Sequence, residues 1–418
     1  MTTRFIALYT LLLGFFSAGF AQEIEQVSTG ASYSLQAYYT LETGDVQQVT
    51  NEDWDLAFSN DGVTDAGVFL NESAAFMQNT LALYVSDKSD WSEPITDVSV
   101  FTEEARLYNP KDNWIEGAFN SVASESDPLD YGWGFYNPQN FAVEGNKIYV
   151  VEQRSGSFLK LQIQRLVDGE YQFRYARLDG SNEVSAVVSK NDHAGKRLIF
   201  YSLRDQEVVD VPISSADLIF KRYYAPLDDG TGSTLQYNVT GVLLAPGTEA
   251  VVADGVDPEI VMESDYADQY SAVPTVIGHD WKEFDFSAGW QLDFDRVHFV
   301  KTREGDIYKV YFFDFEGSST GITTLEKTYL TTVNNAEVLE ENTAIKLFPN
   351  PAQHQIQIEG LEPGAEVQIF DNAGQLRVKR TTKSIQEQFE IEALEQGLYH
   401  LVVRQKGTVS IHNFAKQR

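Results

Sequence analysis

The sequence predicts an all-β protein, in which two tandem copies of one β unit precede a small C-terminal sandwich. Three observations predict this class: the residue composition, the alternation of apolar residues with period two, and a gapless internal repeat. The chain of 418 residues contains 21 tyrosines and 26 phenylalanines, and aromatic residues favour strands over helices. Hydrophobic residues make up 43% of the chain, which is enough for real cores and argues against disorder.

The chain has no cysteine and is strongly acidic. Without cysteine, structural disulfides, cysteine-ligated zinc and a thiol nucleophile are excluded, as is a lipid anchor attached through cysteine. The formal net charge of −31 repels phosphate groups and anionic lipids, so no nucleic-acid partner is expected. The negative excess lies before Lys346, because acidic and basic residues nearly balance from there to Arg418.

Residues 1–21 have the pattern of a signal peptide. One arginine precedes an apolar run from Phe5 to Phe16 that is too short to span a bilayer. Gly19 and Ala21 place small residues before a predicted cleavage site at Gln22. No other stretch has the roughly 18 apolar residues of a membrane-spanning segment. We therefore expect export through the periplasm and a final location outside the cell or on its outer surface.

An internal repeat relates residues 39–58 to residues 201–220 at a constant offset of 162. Seven of the twenty positions are identical, namely Tyr39/Tyr201, Leu41/Leu203, Val46/Val208, Val49/Val211, Asp55/Asp217, Leu56/Leu218 and Phe58/Phe220. Three further correspondences support the repeat: Gly67–Leu70 with Gly241–Leu244, Trp114 with Trp281, and the triplet Arg154, Gly156 and Lys160 with Arg303, Gly305 and Lys309. The repeat predicts two β domains, at residues 22–185 and 186–330.

The last segment, residues 344–418, follows a polar linker at residues 331–343 that is rich in Asn and Glu. Its apolar residues alternate in short runs, which predicts strands with one buried face. The runs are Ile356 and Ile358, Val367 and Ile369, Phe389 and Ile391, Tyr399, Leu401 and Val403, and Val409 and Ile411. Short strands at this spacing predict a small Ig-like β-sandwich.

Four marks in this segment resemble the type A C-terminal sorting domain of the type IX secretion system. They are the opening Phe348–Pro351, the turn Phe370–Gly374, a Leu-x-x-Gly-x-Tyr strand from Leu394, and the basic residue Lys416 in the last strand. The resemblance implies the type IX secretion machinery as a partner, and a sorting motif at Phe348, Pro349, Asn350, Pro351, Asp371, Gly374, Gly397 and Tyr399. The pair His412-Asn413 departs from the family pattern, which often carries Lys and an aliphatic residue there.

The body of the chain resembles the haem-binding HmuY family of all-β proteins on the bacterial surface. The resemblance rests on two segments, Tyr39 to Phe58 and Asp306 to Phe312, with Gly317, Thr320 and Gly321 behind the second. It implies two HmuY-like domains, and haem as a possible cofactor or ligand. These marks have the character of core and turn residues, so they indicate fold more than function.

Haem needs axial ligands, usually His or Met. Residues 1–192 contain no histidine, so a pair of histidine ligands within the first copy is excluded. The candidate haem-binding residues are therefore Met262, His279 and His298, and Met262 is expected to matter more than His279. Met77 is expected in the core, and His193 in a turn.

No enzyme motif is present: Gly-x-Ser-x-Gly, His-Glu-x-x-His and phosphate-binding Gly-rich loops are all missing. The acidic residues between Asp254 and Asp268 do not have the spacing of a calcium loop, so a solvated face is favoured. The aromatic cluster from Tyr131 to Tyr136 either lines a groove or packs beneath a turn. We expect no catalytic residues and no metal site.

These features predict an exported, non-catalytic surface or secreted protein that binds haem or another small hydrophobic ligand. A structural or adhesive surface protein without a small ligand is the main alternative. A carbohydrate-active hydrolase is the third, because acidic and aromatic residues are both abundant.

Overall fold

A computed structural model describes residues 22–62, 65–228, 230–330, 345–371, 376–405 and 408–417. The chain divides into two compact units, Met1–Thr331 and Thr332–Arg418. The predicted signal peptide, residues 1–21, and the predicted linker, residues 331–343, lie outside the described residues. Within the described residues the chain is all-β, as predicted, and its helices are single 3-10 turns of three residues each.

The first unit contains the strands β1 (Gln22–Ser28), β2 (Leu35–Tyr39), β3 (Val46–Thr50), β4 (Leu56–Ser59), β5 (Val68–Leu70), β6 (Ala82–Val85), β7 (Gly134–Asn137), β8 (Ala142–Gly145), β9 (Tyr149–Glu152), β10 (Phe158–Val167), β11 (Glu170–Arg177), β12 (Val184–Ser189), β13 (Leu198–Ser202), β14 (Glu207–Val209), β15 (Leu218–Asp228), β16 (Thr234–Leu244), β17 (Glu249–Ala253), β18 (Lys282–Asp285), β19 (Gly289–Leu292), β20 (Val297–Lys301), β21 (Ile307–Phe315) and β22 (Ile322–Leu330). Its 3-10 turns are Ala31–Tyr33, Glu103–Ala105, Ala118–Asn120, Asn191–His193, Pro212–Ser214, Glu263–Asp265 and Gly317–Ser319.

Four antiparallel sheets of this unit stack as layers. The first outer sheet has the order β12-β11-β10-β8-β7, with β9 paired to β10 and β6 paired to β9. The other outer sheet has the order β1-β22-β21-β20-β17. Between them lie two inner sheets, with the orders β14-β13-β4-β5 and β16-β15-β2-β3. Three apolar cores separate the four layers, one beneath each outer sheet and one between the two inner sheets.

The inner strands are apolar at consecutive positions because both of their faces are buried. In β13, Ile199 and Tyr201 belong to the core beneath the first outer sheet, while Leu198 and Phe200 belong to the middle core. All five residues of β13 are buried. The outer strands alternate instead, as β21 does from Ile307 to its bulge after Phe312. The sequence therefore distinguishes inner from outer strands by its periodicity.

Strand pairing within the inner sheets joins the two sequence copies. Strand β4 of the first copy pairs with β13 of the second, and β15 of the second pairs with β2 of the first. Leu56 stands opposite Tyr201, and its offset partner Leu218 stands opposite Tyr39. A register shift follows Ile163 in β10 and another follows Phe312 in β21, 149 residues later.

The two copies thus form a single compact unit, since each inner sheet takes strands from both. All four matched side chains Leu56, Leu218, Phe58 and Phe220 are buried. The predicted boundary between residues 185 and 186 stays a prediction. It falls within strand β12, so no break between structural elements marks it.

The second unit is a two-sheet sandwich around one core of its own. Its strands are β23 (Lys346–Phe348), β24 (Gln355–Glu359), β25 (Glu366–Asp371), β26 (Leu376–Thr381), β27 (Gln386–Glu390), β28 (Gly397–Gln405) and β29 (Thr408–Lys416). The sheets have the orders β23-β24-β27 and β26-β25-β28-β29. The predicted alternation holds, because Ile356, Ile358, Val367, Ile369, Leu401 and Val403 are all fully buried.

Among the residues described, no helix has the length and apolar character needed to cross a membrane.

Candidate ligand cavity and sorting motif

A cavity lies in the middle core, where the two inner sheets do not close fully against each other. Its interior volume is about 60 Å³. Strands β2, β4, β5, β13, β15 and β16 supply its walls, and two irregular segments, residues 109–114 and 274–275, supply its rim. Its lining, mainly apolar with a few polar groups, has the character of a small-ligand site, while its volume in this structure is below that of pockets that enclose a drug-sized ligand.

The walls are mainly apolar, and six of the lining residues are aromatic. Tyr38, Phe69, Phe200 and Tyr223 line the cavity, and each is at least nine-tenths buried. The ring of Trp54 packs edge-on against Phe200, with 4.8 Å between centroids. Residues at alternate positions of the inner strands point to this layer, which explains why rings from both sheets meet here. The arrangement offers a flat apolar ligand several ring faces.

Contacts between loops and strands position the rim. Trp114 Nε1 donates a hydrogen bond to the carbonyl of Leu244 over 2.9 Å. Thr275 Oγ1 donates to the carbonyl of Lys111 over 3.0 Å, which ties the two rim segments together. The half-buried Trp114 also packs against Phe69, with 6.1 Å between ring centroids.

Glu72 lies on the lining with both carboxylate oxygens engaged. Oε1 accepts the N–H of Asn109 over 2.8 Å, and Oε2 pairs with Lys111 Nζ over 3.5 Å. The Glu72 side chain is only 4% exposed. Its negative charge is therefore neutralised locally by Lys111, which itself lies 5.9 Å from the centre of the Tyr223 ring.

Lys221 places a second amine in the same cavity. The residue is 9% exposed, and its Nζ lies 5.2 Å from the centre of the Trp54 ring. The pKa of Lys221 is lowered to about 8, chiefly by burial; the positive charges of Lys111 and Arg154 contribute to the shift, and Glu72 opposes it. Desolvation of an ammonium is the physical cause, since the charged form is the one that loses hydration.

His298, predicted as a haem ligand, is fully buried in the structure. It lies in β20 opposite Val252 and Val310, is 1% exposed, and packs against the Phe312 ring at 5.4 Å. Neither ring nitrogen has a hydrogen-bond partner among the described residues. Burial lowers the pKa of His298 to about 3, so its imidazole is neutral.

His279 lies beside the cavity wall. Its Nδ1 is 3.4 Å from the hydroxyl of Tyr223, and burial lowers the pKa of His279 below its ordinary value. Met262, by contrast, is 58% exposed and precedes the 3-10 turn Glu263–Asp265. No hydrogen bond or ring contact in the described part of the chain joins any two of Met262, His279 and His298. Haem ligation by these residues stays a prediction.

Other expectations from the sequence have mixed outcomes. Met77 was expected in the core but is 89% exposed, because it occupies a turn with φ 63° in which Gln78 N–H donates to Ala75 O. Trp133 of the aromatic cluster is fully buried and its Nε1 donates to Ala66 O, so the centre of this cluster packs in the core. Across the described residues, no group of three or more His, Cys, Asp or Glu side chains could hold a metal.

The sorting motif lies in the second unit. Asn350 Oδ1 accepts the N–H of Ala415 over 3.0 Å, while Phe348, Pro349 and Pro351 are exposed. Asp371 ends β25 and accepts a hydrogen bond from Arg377 Nε over 2.7 Å.

The later part of the motif is on β28. Gly397 begins this strand and stands opposite Lys416 of β29. Tyr399 is buried against Phe414, and its hydroxyl donates to Glu395 O over 2.9 Å. Gly374 lies outside the described residues.

Sequence reasoning missed the cavity and Lys221. One signal could have found them. Lys221 directly follows the apolar run Leu218-Ile219-Phe220, and the strand that corresponds to this run at the offset of 162, β4, is a core strand. A charged residue inside a strand that is buried on both faces needs either a partner or a function.

Comparisons with known proteins agree with the two resemblances. Residues 32–176 match the HmuY protein family, and residues 346–417 match the secretion system C-terminal sorting domain. No curated protein matches the chain.

Three solved structures are similar to parts of the chain. Apo PinO from Porphyromonas gingivitis shares 9% identity over 74% of this chain and 98% of its own, with a TM-score of 0.22. The apo HmuY analogue of Tannerella forsythia, TFO, shares 8% identity over 75% and 97%, with a TM-score of 0.21. PorZ, a surface component of the type IX secretion system of Porphyromonas gingivalis, shares 11% identity over 68% and 41%, with a TM-score of 0.16.

The two family matches each describe part of the molecule. Residues 32–176 are HmuY-like, residues 346–417 form a type IX C-terminal sorting domain, and the chain is exported to the cell surface or secreted.

Proposed function

We propose that this protein is a non-catalytic binding protein that holds a small hydrophobic ligand in the cavity between its inner sheets. The observation that carries the proposal is the cavity itself, about 60 Å³, whose mainly apolar lining combines six aromatic side chains with a few polar groups. Burying a flat apolar ligand against these rings contributes on the order of 25 cal/mol for each Å² removed from water.

The polar groups of the lining support binding rather than catalysis. Glu72, the acidic residue of the lining, already holds the amide of Asn109 and the ammonium of Lys111. A general base must be within reach of a substrate proton and able to accept it. Both oxygens of Glu72 are engaged, so this carboxylate suits the positioning of Lys111 and the rim better than proton transfer.

Haem is one candidate occupant, since the body of the chain matches a family that includes haem-binding members. For a ligand in this cavity, His279 is better placed than Met262, because His279 contacts the Tyr223 wall and Met262 does not line the cavity. This order reverses the one expected from the sequence. His298 would have to leave its packing against Phe312 before it could reach any ligand.

The proposal is tested with N-phenyl-1-naphthylamine, a neutral probe that fluoresces in apolar surroundings. We expect the exported chain to bind the probe, and Thr275→Trp at the rim to weaken binding about tenfold or more by blocking the mouth. Gln139→Trp, on an exposed turn away from the lining, is the matched control and should bind as the wild type does. Equal binding by all three proteins, or none by the wild type, would reject the cavity as the site.

A haemin titration followed by absorbance identifies the occupant more closely. Displacement of N-phenyl-1-naphthylamine by haemin would place haem in the cavity. Binding of haemin without displacement would place haem elsewhere and leave the cavity to another apolar ligand.

A further inference from the structure

We propose that the ligand of the cavity carries a carboxylate, and that the ammonium of Lys221 binds this group inside the cavity. The inference rests on the proposed function and specifies its ligand class: a flat apolar body with an acidic end.

Lys221 differs from the other buried lysines in lacking a partner. Among the described residues six lysines are buried, and five donate hydrogen bonds to backbone carbonyls. These are Lys160 to Trp91, Lys190 to Asp65, Lys282 to Thr240, Lys327 to Leu41 and Lys416 to Gln417. Lys221 has no hydrogen bond and no ion pair within the described chain. A buried ammonium without a partner is costly, so the fold leaves a donor available for a bound group.

The fold itself does not require a lysine at this position. The offset of 162 places Ser59 opposite Lys221 in the repeat, and Ser59 also lies in a buried inner strand. The same offset places Ala216 opposite Trp54. The aromatic walls recur at the offset, as Tyr38 and Phe200 do, whereas neither polar donor recurs: Lys221 corresponds to Ser59 and Trp54 to Ala216. This asymmetry is what a ligand site added to a symmetric core would show.

A second donor of the lining also lacks an acceptor. Trp54 Nε1 is buried without a hydrogen-bond partner in the described residues, and the Trp54 ring is the one over which the Lys221 ammonium lies. Two neighbouring donors without acceptors fit a ligand that brings acceptor oxygens. A carboxylate supplies two oxygens with about four acceptor sites.

The local charge favours an anion despite the acidic surface. Glu72 and Lys111 neutralise each other at 3.5 Å, and Arg154 pairs with Asp55 at 3.0 Å. Lys221 is left as the uncompensated charge of the cavity. Because the surroundings are apolar, an ammonium and a carboxylate attract each other there far more strongly than in water.

The test compares three probes of one shape: indole-3-acetate, which is anionic, indole-3-acetamide, which is neutral, and tryptamine, which is cationic. Binding to the exported chain is measured by calorimetry at pH 7. We expect indole-3-acetate to bind at least tenfold more tightly than indole-3-acetamide, and tryptamine to bind most weakly. In Lys221→Met the preference for the acetate should disappear, while the affinity for the acetamide stays within about twofold.

Lys196→Met is the matched control, because Lys196 is an exposed lysine that pairs with Asp210 outside the cavity. It should keep the full preference for the acetate. If the acetamide binds as tightly as the acetate to the wild type, or if Lys221→Met keeps the preference, the carboxylate proposal is wrong while the cavity stands. If no indole probe and no N-phenyl-1-naphthylamine binds, the proposed function fails and this inference fails with it.

Discussion

Asp55 and Asp217 show how the same residue acquires different properties in the two copies. Each accepts a backbone N–H from the other copy over 2.8 Å, Asp55 from Leu203 and Asp217 from Leu41. Asp55 also pairs with Arg154 Nη1 at 3.0 Å. Asp217 has only a more remote attraction from Arg303, and burial raises its pKa to about 6. Both carboxylates therefore accept a backbone N–H, but only Asp55 also has an arginine at ion-pair distance.

This difference predicts unequal effects of removing the two charges. Asp55→Asn leaves Arg154 mostly buried without its carboxylate, so we expect a loss of about 2 kcal/mol or more in the free energy of unfolding at pH 7. Asp217→Asn removes a charge whose burial is unfavourable and keeps an acceptor oxygen, so it should be nearly neutral or stabilising. Urea unfolding of both variants measures the difference, and equal losses would contradict it.

The pH dependence of Asp217 has a definite sign. Its pKa is raised from 3.8 unfolded to about 6 folded, so between these values the folded state binds more protons. The stability of the wild type relative to Asp217→Asn should therefore fall as the pH rises from about 4 to about 6, and stay level above that. A difference that grows in favour of the wild type over this range would refute the assignment.

Lys221 should cost stability in the absence of ligand. Its pKa falls from 10.5 unfolded to about 8 folded, so between these values the unfolded state binds more protons. Lys221→Met should therefore be more stable than the wild type below pH 8, on the order of 1–3 kcal/mol, and the gap should close as the pH approaches 10.5. Lys196→Met, from an exposed position, should show no such gap. A gap that does not change with pH would mean that packing rather than charge is responsible.

At the scale of the elements, the sequence predicts strands better than it predicts their partners. Period two identifies outer strands such as β21, and the gapless offset identifies equivalent core positions such as Leu56 and Leu218. Neither signal says that β4 pairs with β13 of the other copy, because pairing depends on which buried faces meet in space. The cavity escaped prediction for the same reason, since its lining comes from six strands and two loops that are distant in sequence.

Close packing between β5 and the loop that precedes the 3-10 turn Ala118–Asn120 fixes the rim of the cavity. A Cβ on Gly117 would lie 2.1 Å from Val68 O, and a Cβ on Gly67 would lie 2.1 Å from Ile115 O. Only glycine permits this approach of two backbones, and the loop holds Trp114 beside Phe69. The matched Gly241 shows the same constraint, with Gly278 O at 2.4 Å.

We therefore expect Gly117→Ala to destabilise the body by about 2–3 kcal/mol and to weaken binding of N-phenyl-1-naphthylamine, because the backbones must separate. Gly62→Ala is the control, since its Cβ would meet no described atom within 4 Å and its φ is not left-handed. Thermal unfolding and probe fluorescence measure both effects. An unchanged Gly117→Ala protein would show that the loop does not need its close approach to β5.

At the scale of the whole molecule, the cavity and the predicted sorting motif lie in different compact units. The body carries the cavity within its middle core, and the second unit carries the sorting motif on its own sandwich. Each unit buries its own apolar residues, so neither needs the other to complete a core. Sorting and binding should therefore be separable by deletion.

Deleting residues 344–418 tests this separation. We expect the shortened chain to keep the unfolding temperature of the body and its affinity for N-phenyl-1-naphthylamine, because every strand of the four layers ends by Leu330. It should accumulate in the periplasm and be absent from the cell surface and the medium, since the sorting domain is missing. Fusing residues 332–418 to a periplasmic carrier protein gives the reciprocal control, which should be exported. Full export of the shortened chain would show that the sorting signal lies outside residues 344–418. An unfolded body would show that the two units depend on each other for stability despite their separate cores.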